Sequence, residues 1–195
     1  MSASREAARG PLGLRVRRRL LEVARAAIAE KLARGTIPEL APGEEELDMP
    51  AGAFVSLHVD GELRGCIGSL YADRPLGQTV AEMATAAATE DPRFDALRAA
   101  ELRHTDIEVS VLTPFEPIRP EDVVVGRHGL YIVRGPRRGV LLPQVPVQYG
   151  WDRETFLAQV CRKAGLPTDA WRDPETLLLG FEAQVFSDLS EAEAR

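Results

Sequence analysis

Residues 54–68 read Phe54-Val55-Ser56-Leu57-His58-Val59-Asp60-Gly61-Glu62-Leu63-Arg64-Gly65-Cys66-Ile67-Gly68, and this stretch decides the fold. Val55, Leu57 and Val59 alternate with Phe54, Ser56 and His58, the period of a strand with one buried face. Asp60-Gly61 is a favoured two-residue turn, because both residues tolerate the positive φ of a tight hairpin. The spacing predicts an antiparallel hairpin over residues 53–70. With Asp60 and Gly61 at the centre of the turn, Val59 faces Glu62, Leu57 faces Arg64 and Val55 faces Cys66. This register sets Arg64 and Cys66 beside apolar neighbours and leaves His58 on the opposite face. A one-residue bulge at Gly65 breaks the arrangement.

Helical periods flank the hairpin. In residues 14–34, Leu20, Ala24, Ile28 and Leu32 recur every four positions, and Gly35 is the expected stop. Residues 36–51 read as a surface loop whose run Glu44-Glu45-Glu46 is a solvated face. Asp73 is the expected N-cap of a helix with Pro75 in its first turn and Leu76, Val80, Met83, Ala84 and Ala87 buried. Asp91-Pro92-Arg93-Phe94 reads as a turn. Ile107, Val109 and Val111 mark a strand ended by Pro114. A second hairpin joins Leu130–Val133 to Val140–Leu142 around residues 135–139. Asp152 caps a helix running to Ala164, and Leu177–Phe186 reads as a single last strand. Hairpins interleaved with helices predict an α+β fold with a mainly antiparallel sheet.

The chain has 195 residues and a net charge of −6, with 45% hydrophobic and 28% charged residues. That composition is globular, and its acidity argues against nucleic acid as a partner. The aromatic residues do not alternate with basic ones as stacking platforms require. Arg15 and Arg17-Arg18-Arg19 precede Leu20-Leu21, but Glu22, Arg25 and Glu30 interrupt the apolar stretch, so no signal peptide is read there. No run approaches a membrane span, and a cytoplasmic location is expected. The expected organisation is a disordered leader over residues 1–12, one domain over 13–189 and a tail over 190–195.

Cys66 and Cys161 are the two cysteines, too few for a disulfide framework or a four-cysteine zinc site. His58, His104 and His128 match no metal-motif spacing, so no metal is assigned. Dinucleotide, phosphate-loop and zinc-protease signatures are missing. What remains is Cys66, between two glycines and near a cation. The thiol is a nucleophile or a metal-thiolate ligand, or else a small buried hydrophobe. Arg64 either favours a thiolate or holds an anion, unless it pairs with Glu62 on the sheet surface. Glu108, flanked by Ile107 and Val109, is a general base or a solvent-facing strand residue. Gly65 and Gly68 let a ligand approach the backbone. Gln144, between Pro143 and Pro146, either points its amide into a pocket or satisfies the turn. Arg137-Arg138 is a hairpin tip or a contact for phosphate or an acidic partner. Cys161 belongs to helix packing.

Several blocks together resemble the AMMECR family. They are Leu63-Arg64-Gly65-Cys66-Ile67-Gly68, Arg74-Pro75-Leu76, Asp91-Pro92-Arg93-Phe94 and Ile107-Glu108-Val109-Ser110-Val111-Leu112. Arg138-Gly139-Val140-Leu141-Leu142-Pro143-Gln144-Val145, Gly150-Trp151-Asp152, Phe156 and Cys161-Arg162-Lys163-Ala164-Gly165-Leu166-Pro167 follow in order. The resemblance runs from about residue 14 to residue 187. It implies one compact α+β domain, with an antiparallel sheet, packed helices and a smaller second lobe, and it places the cysteine motif at or near a cleft. It names no reaction and no cofactor. The family is associated with a Memo-like protein and a radical-SAM protein in the AmmeMemoRadiSam system, which makes these the expected partners. Two readings follow. In one the chain is an enzyme acting on a small molecule or peptide, with Cys66, Arg64 and Glu108 catalytic and Gly65, Gly68, Arg93 and Gln144 contacting substrate. In the other it is a non-catalytic binding or accessory protein.

Overall fold

The computed structural model describes residues 11–41 and 43–193. Most of the expected leader, residues 1–10, lies outside them, as do residues 194–195 of the expected tail. Two compact units emerge, one formed by the segment up to Leu112 together with the chain from Gln184 onward, the other by Thr113–Ala183.

In the first unit, helix α1 (Leu14–Arg34) ends where Gly35 turns left-handed at φ 77°, as its position after the apolar stripe predicts. Ahead of it, Leu12 packs against the core and donates its backbone N–H to Gln184. The acidic loop holds one short helix, α2 (Glu45–Asp48), which buries Leu47. Strands β1 (Ala53–Val59) and β2 (Glu62–Ser69) form the expected hairpin, and Asp60 and Gly61 both have positive φ, 53° and 81°. Helix α3 (Leu76–Thr89) starts later than its sequence suggests. Pro75 occupies the N-cap position and Asp73 pairs with Arg74 instead of capping. Strand β3 is Thr105–Leu112.

The second unit carries β4 (Glu116–Pro117), β5 (Gly129–Arg134), β6 (Arg137–Leu141), helices α4 (Gln144–Gln148) and α5 (Arg153–Lys163), and β7 (Leu177–Phe181). The expected single strand over Leu177–Phe186 is two. Glu182 separates β7 from β8 (Ala183–Ser187), and the two belong to different sheets. The last helix, α6, spans Asp188–Glu193.

The first sheet has the order β2-β1-β3-β8 and the second β4-β7-β5-β6. On the first, Val55, Leu57, Ile107, Val109 and Phe186 bury against Leu20, Ala24, Ile28, Val80 and Ala84 of α1 and α3. The alanines keep helix and sheet close enough that backbone meets backbone at Gly65. A Cβ there would sit 2.1 Å from the Ala87 carbonyl oxygen. In the second, Phe156, Leu157, Val160 and Cys161 of α5 pack on Leu130 and Ile132. Asp152 caps α5, accepting the Thr155 N–H at 2.8 Å.

The hairpin register differs from the in-line pairing. Val59 faces Glu62 and His58 faces Leu63, but then Leu57 faces Gly65, Ser56 faces Cys66 and Val55 faces Ile67. Arg64 is the extra residue of a β-bulge. Without it, Arg64 would project beside Leu57 into a dry helix-facing core, where an unpaired cation costs several kcal/mol. The bulge turns Gly65 and Ile67 inward and sends Cys66 and Gly68 to the other face.

Candidate functional site

The bulge builds a strip on the sheet face opposite the helices. Ser56 of β1 lies between Cys66 of β2 and Glu108 of β3, each its direct cross-strand partner. The Ser56 hydroxyl donates to the Cys66 sulfur at 3.2 Å. His58, two residues along β1, shares this face and sits opposite Asp106. The in-line register, with Cys66 against Val55 and His58 behind it, is thereby corrected. Cys66 is half-buried among polar side chains instead of sealed by Val55 and Leu57.

Burial pushes the Glu108 carboxyl above its ordinary pKa, an effect opposed by His58 and reinforced by Asp106. Ionising it therefore costs stability, and that cost appears as pH rises from the ordinary carboxylate pKa through the raised one. Glu108 is half-buried, not a freely solvated strand residue.

The charges near the thiol are arranged differently from their order in the chain. Arg64 pairs with Glu101 at 3.2 Å and donates to the carbonyls of Asp95 at 2.5 Å and Ala96 at 3.3 Å. It ties the bulge to the segment after α3. The cation beside Cys66 is Arg93, whose guanidinium reaches the Cys66 carbonyl at 3.4 Å. Asp91 joins the two. Its carboxylate accepts the Cys66 N–H at 2.8 Å and holds Arg93 through Nε at 2.9 Å and a terminal nitrogen at 2.7 Å. The Asp91 side chain is 2% exposed and that of Arg93 56%. Arg93, foremost, and the Cys66 N–H hold the Asp91 carboxyl well below the usual carboxylate range, against the opposing effect of burial. Asp91, read as simple punctuation in the sequence, is the buried anchor of the motif.

The two candidate glycines have separate causes. Gly65 faces α3 and serves packing. Gly68 lies under the ring of Phe54, its cross-strand partner, where a Cβ would come within 2.1 Å of the ring. Gln144 belongs to the second unit and opens α4, and its Oε1 is buried without a hydrogen-bond partner among the described residues. A buried acceptor left unpaired costs about 1–3 kcal/mol. Gln144→Leu is therefore expected to hold or raise the thermal midpoint, and a drop in midpoint would show that the amide supports the fold. Cys161 is fully buried in α5, and burial pushes its thiol pKa up. Among the described residues no group of three or more His, Cys, Asp or Glu side chains is placed to hold a metal, and no helix is long and apolar enough to cross a membrane.

Ser56, His58 and Asp91 are absent from the residues that the sequence nominates. The glycine inside a strand was the available signal, since an interior glycine often marks a bulge or a close backbone approach.

Similar proteins match most of the chain. A protein from Thermococcus gammatolerans is 45% identical over 183 residues, covering 87% of this chain and 88% of its own. One from Methanothermobacter thermautotrophicus is 44% identical over 189 residues, covering 91% and 97%. The crystal structure of an uncharacterized protein from Pyrococcus horikoshii superposes with a TM-score of 0.80 at 40% identity, covering 89% of this chain and 91% of that one. The AMMECR1 family model matches residues 21–186, so that the hairpin, the bulge and all of both sheets but Ser187 fall within the match, and the chain belongs to the AMMECR1 family.

Proposed function

We propose that this protein is an enzyme in which Cys66 is the nucleophile and Glu108 moves the proton. The observation that carries the reading is the row Cys66–Ser56–Glu108 across three neighbouring strands. Cys66 and Glu108 flank Ser56 two strand spacings, about 10 Å, apart, so the thiol proton passes to the Ser56 hydroxyl as that hydroxyl gives its own to the Glu108 carboxylate, leaving Ser56 to donate to the thiolate. Ser56 is the donor at sulfur. A carboxyl raised by burial is suited to take up and return a proton closer to neutral pH than an exposed one. The exposed edge of Arg93, beside the Cys66 carbonyl, suits an anionic part of the substrate. The substrate class is a small molecule or a peptide side chain, handled in the cytoplasm with a Memo-like and a radical-SAM partner, as the resemblance implies. Arg64 contributes by fixing the bulge, not by touching substrate.

Alkylation of the native protein by iodoacetamide tests this, with Cys161 as internal control. Cys66 is expected to react at least an order of magnitude faster than buried Cys161 and faster than a cysteine in an unstructured peptide. Ser56→Ala should slow it, and Glu108→Gln should change the pH dependence of the rate. A Cys66 no faster than the peptide thiol, with Ser56→Ala and Glu108→Gln both silent, would sink the reading.

One observation favours a binding or accessory role instead. The charges of Arg64 and Asp91 close on neighbouring backbone and side chains, which is what a rigid recognition surface needs. On that reading Cys66→Ala keeps partner co-purification intact, and its cost is confined to packing.

A further inference from the structure

The tip of the β5–β6 hairpin carries two arginines face to face. Arg134 and Arg137 are direct cross-strand partners on either side of the turn Gly135-Pro136. Like charges in that position repel and weaken a hairpin unless something negative lies between or beside them. The compensation within the protein is partial. Arg134 is held by Asp173 at 2.7 Å, while Glu175 stands off at 3.8 Å with its side chain 82% exposed. Arg137 donates one terminal nitrogen to the Gly165 carbonyl, and its other nitrogens have no protein partner among the described residues. Both guanidiniums are thus pinned by one edge and open at another, which removes much of the entropy cost of organising them around a ligand.

They border an open pocket of about 370 Å³ whose lining also includes Leu166, Pro167 and Glu175. We propose that this pocket binds a small phosphate monoester, the phosphoryl group between Arg134 and Arg137 and the apolar body against Leu166 and Pro167. Two guanidinium forks match the charge and the several acceptor oxygens of a phosphoryl dianion. The pocket is large enough for that group with a small apolar substituent. Glu175 is the competing carboxylate. It approaches Arg134 loosely, at 3.8 Å, and must yield to the ligand. This site lies wholly in the second unit and is independent of the chemistry at Cys66.

Phenyl phosphate titrated into the full-length protein, followed by amide chemical shifts, tests the proposal. Saturable shifts are expected at Gly135 and Leu166, weaker binding for inorganic phosphate, and a loss of affinity as salt screens the charges. Arg137→Gln should weaken phenyl phosphate about tenfold or more. Glu175→Gln should tighten it about two- to fivefold by removing the competitor. Both substitutions are at exposed positions, so the fold is expected to survive them. The proposal is overturned if no saturable shift appears in the millimolar range, if Arg137→Gln binds as the wild type does, or if Glu175→Gln weakens binding.

Discussion

Gly65→Ala is expected to cost the first unit more than about 3 kcal/mol, enough to unfold it or leave it only partly folded at physiological temperature. The added Cβ would stand 2.1 Å from the Ala87 carbonyl oxygen and 3.1 Å from its carbon. Both sides of that contact are backbone. No rotamer change relieves it, so α3 must lift from the sheet or β2 must shift its register. A register shift would turn Arg64 inward, and lifting α3 would open the alanine-lined core beneath it. Urea denaturation followed by far-UV circular dichroism measures the effect. Gly68→Ala is the matched control. Its Cβ would meet the Phe54 ring, a side chain able to turn away, so a smaller loss is expected. Equal stability of Gly65→Ala and wild type would mean that helix and strand are not in this close contact.

Removing the Asp91 carboxylate has the next largest expected effect. Asp91→Ala strands the Cys66 N–H and releases Arg93, at a cost of about 2–3 kcal/mol. The figure is below that for a fully buried pair because Arg93 is more than half exposed and water can take over its donors. The pH dependence carries a sign that identifies the group. A carboxyl whose folded pKa is depressed stabilises fully above its unfolded pKa of about 4 and loses that contribution as pH falls toward the folded value. Wild type therefore loses stability from this source only on acidification below about pH 4, and Asp91→Ala should lack that part of the acid limb. Urea midpoints measured from neutral to acid pH separate the two curves. A parallel offset at every pH would assign the cost to lost packing instead. Cys66 alkylation in the same variant should also change, because the carboxylate fixes the backbone that carries the thiol.

These two residues show how legible the molecule is in its sequence. Asp60-Gly61 demanded a tight turn, because few residue pairs accept positive φ twice in succession, and the alternation of Val55, Leu57 and Val59 demanded a strand. The four-residue recurrence through Ile28 and the glycine at position 35 placed α1 and its end. The break at Glu182 was not visible, because Leu177–Phe186 is apolar enough to continue as one strand and only the separation into two sheets interrupts it. Nor was the start of α3, since Asp73 is a good cap by type but its carboxylate pairs with Arg74.

Turn chemistry and hydrophobic period act between near neighbours, so the amino-acid sequence by itself determined the hairpin, the long helices, the α+β class and the prominence of Cys66. Register is a long-range property. It was decided when Gly65 met the Ala87 carbonyl and Arg64 found Glu101, contacts with residues 22 and 37 positions away in the chain. Because side chains alternate faces, that single inserted residue moved Cys66 from the core side to the face that already carries Ser56, His58 and Glu108. Only the tertiary structure could choose Arg93 over Arg64 as the cation at the thiol, since Arg64 is two residues from Cys66 and Arg93 is 27 away, and the choice rests on where Asp91 is buried.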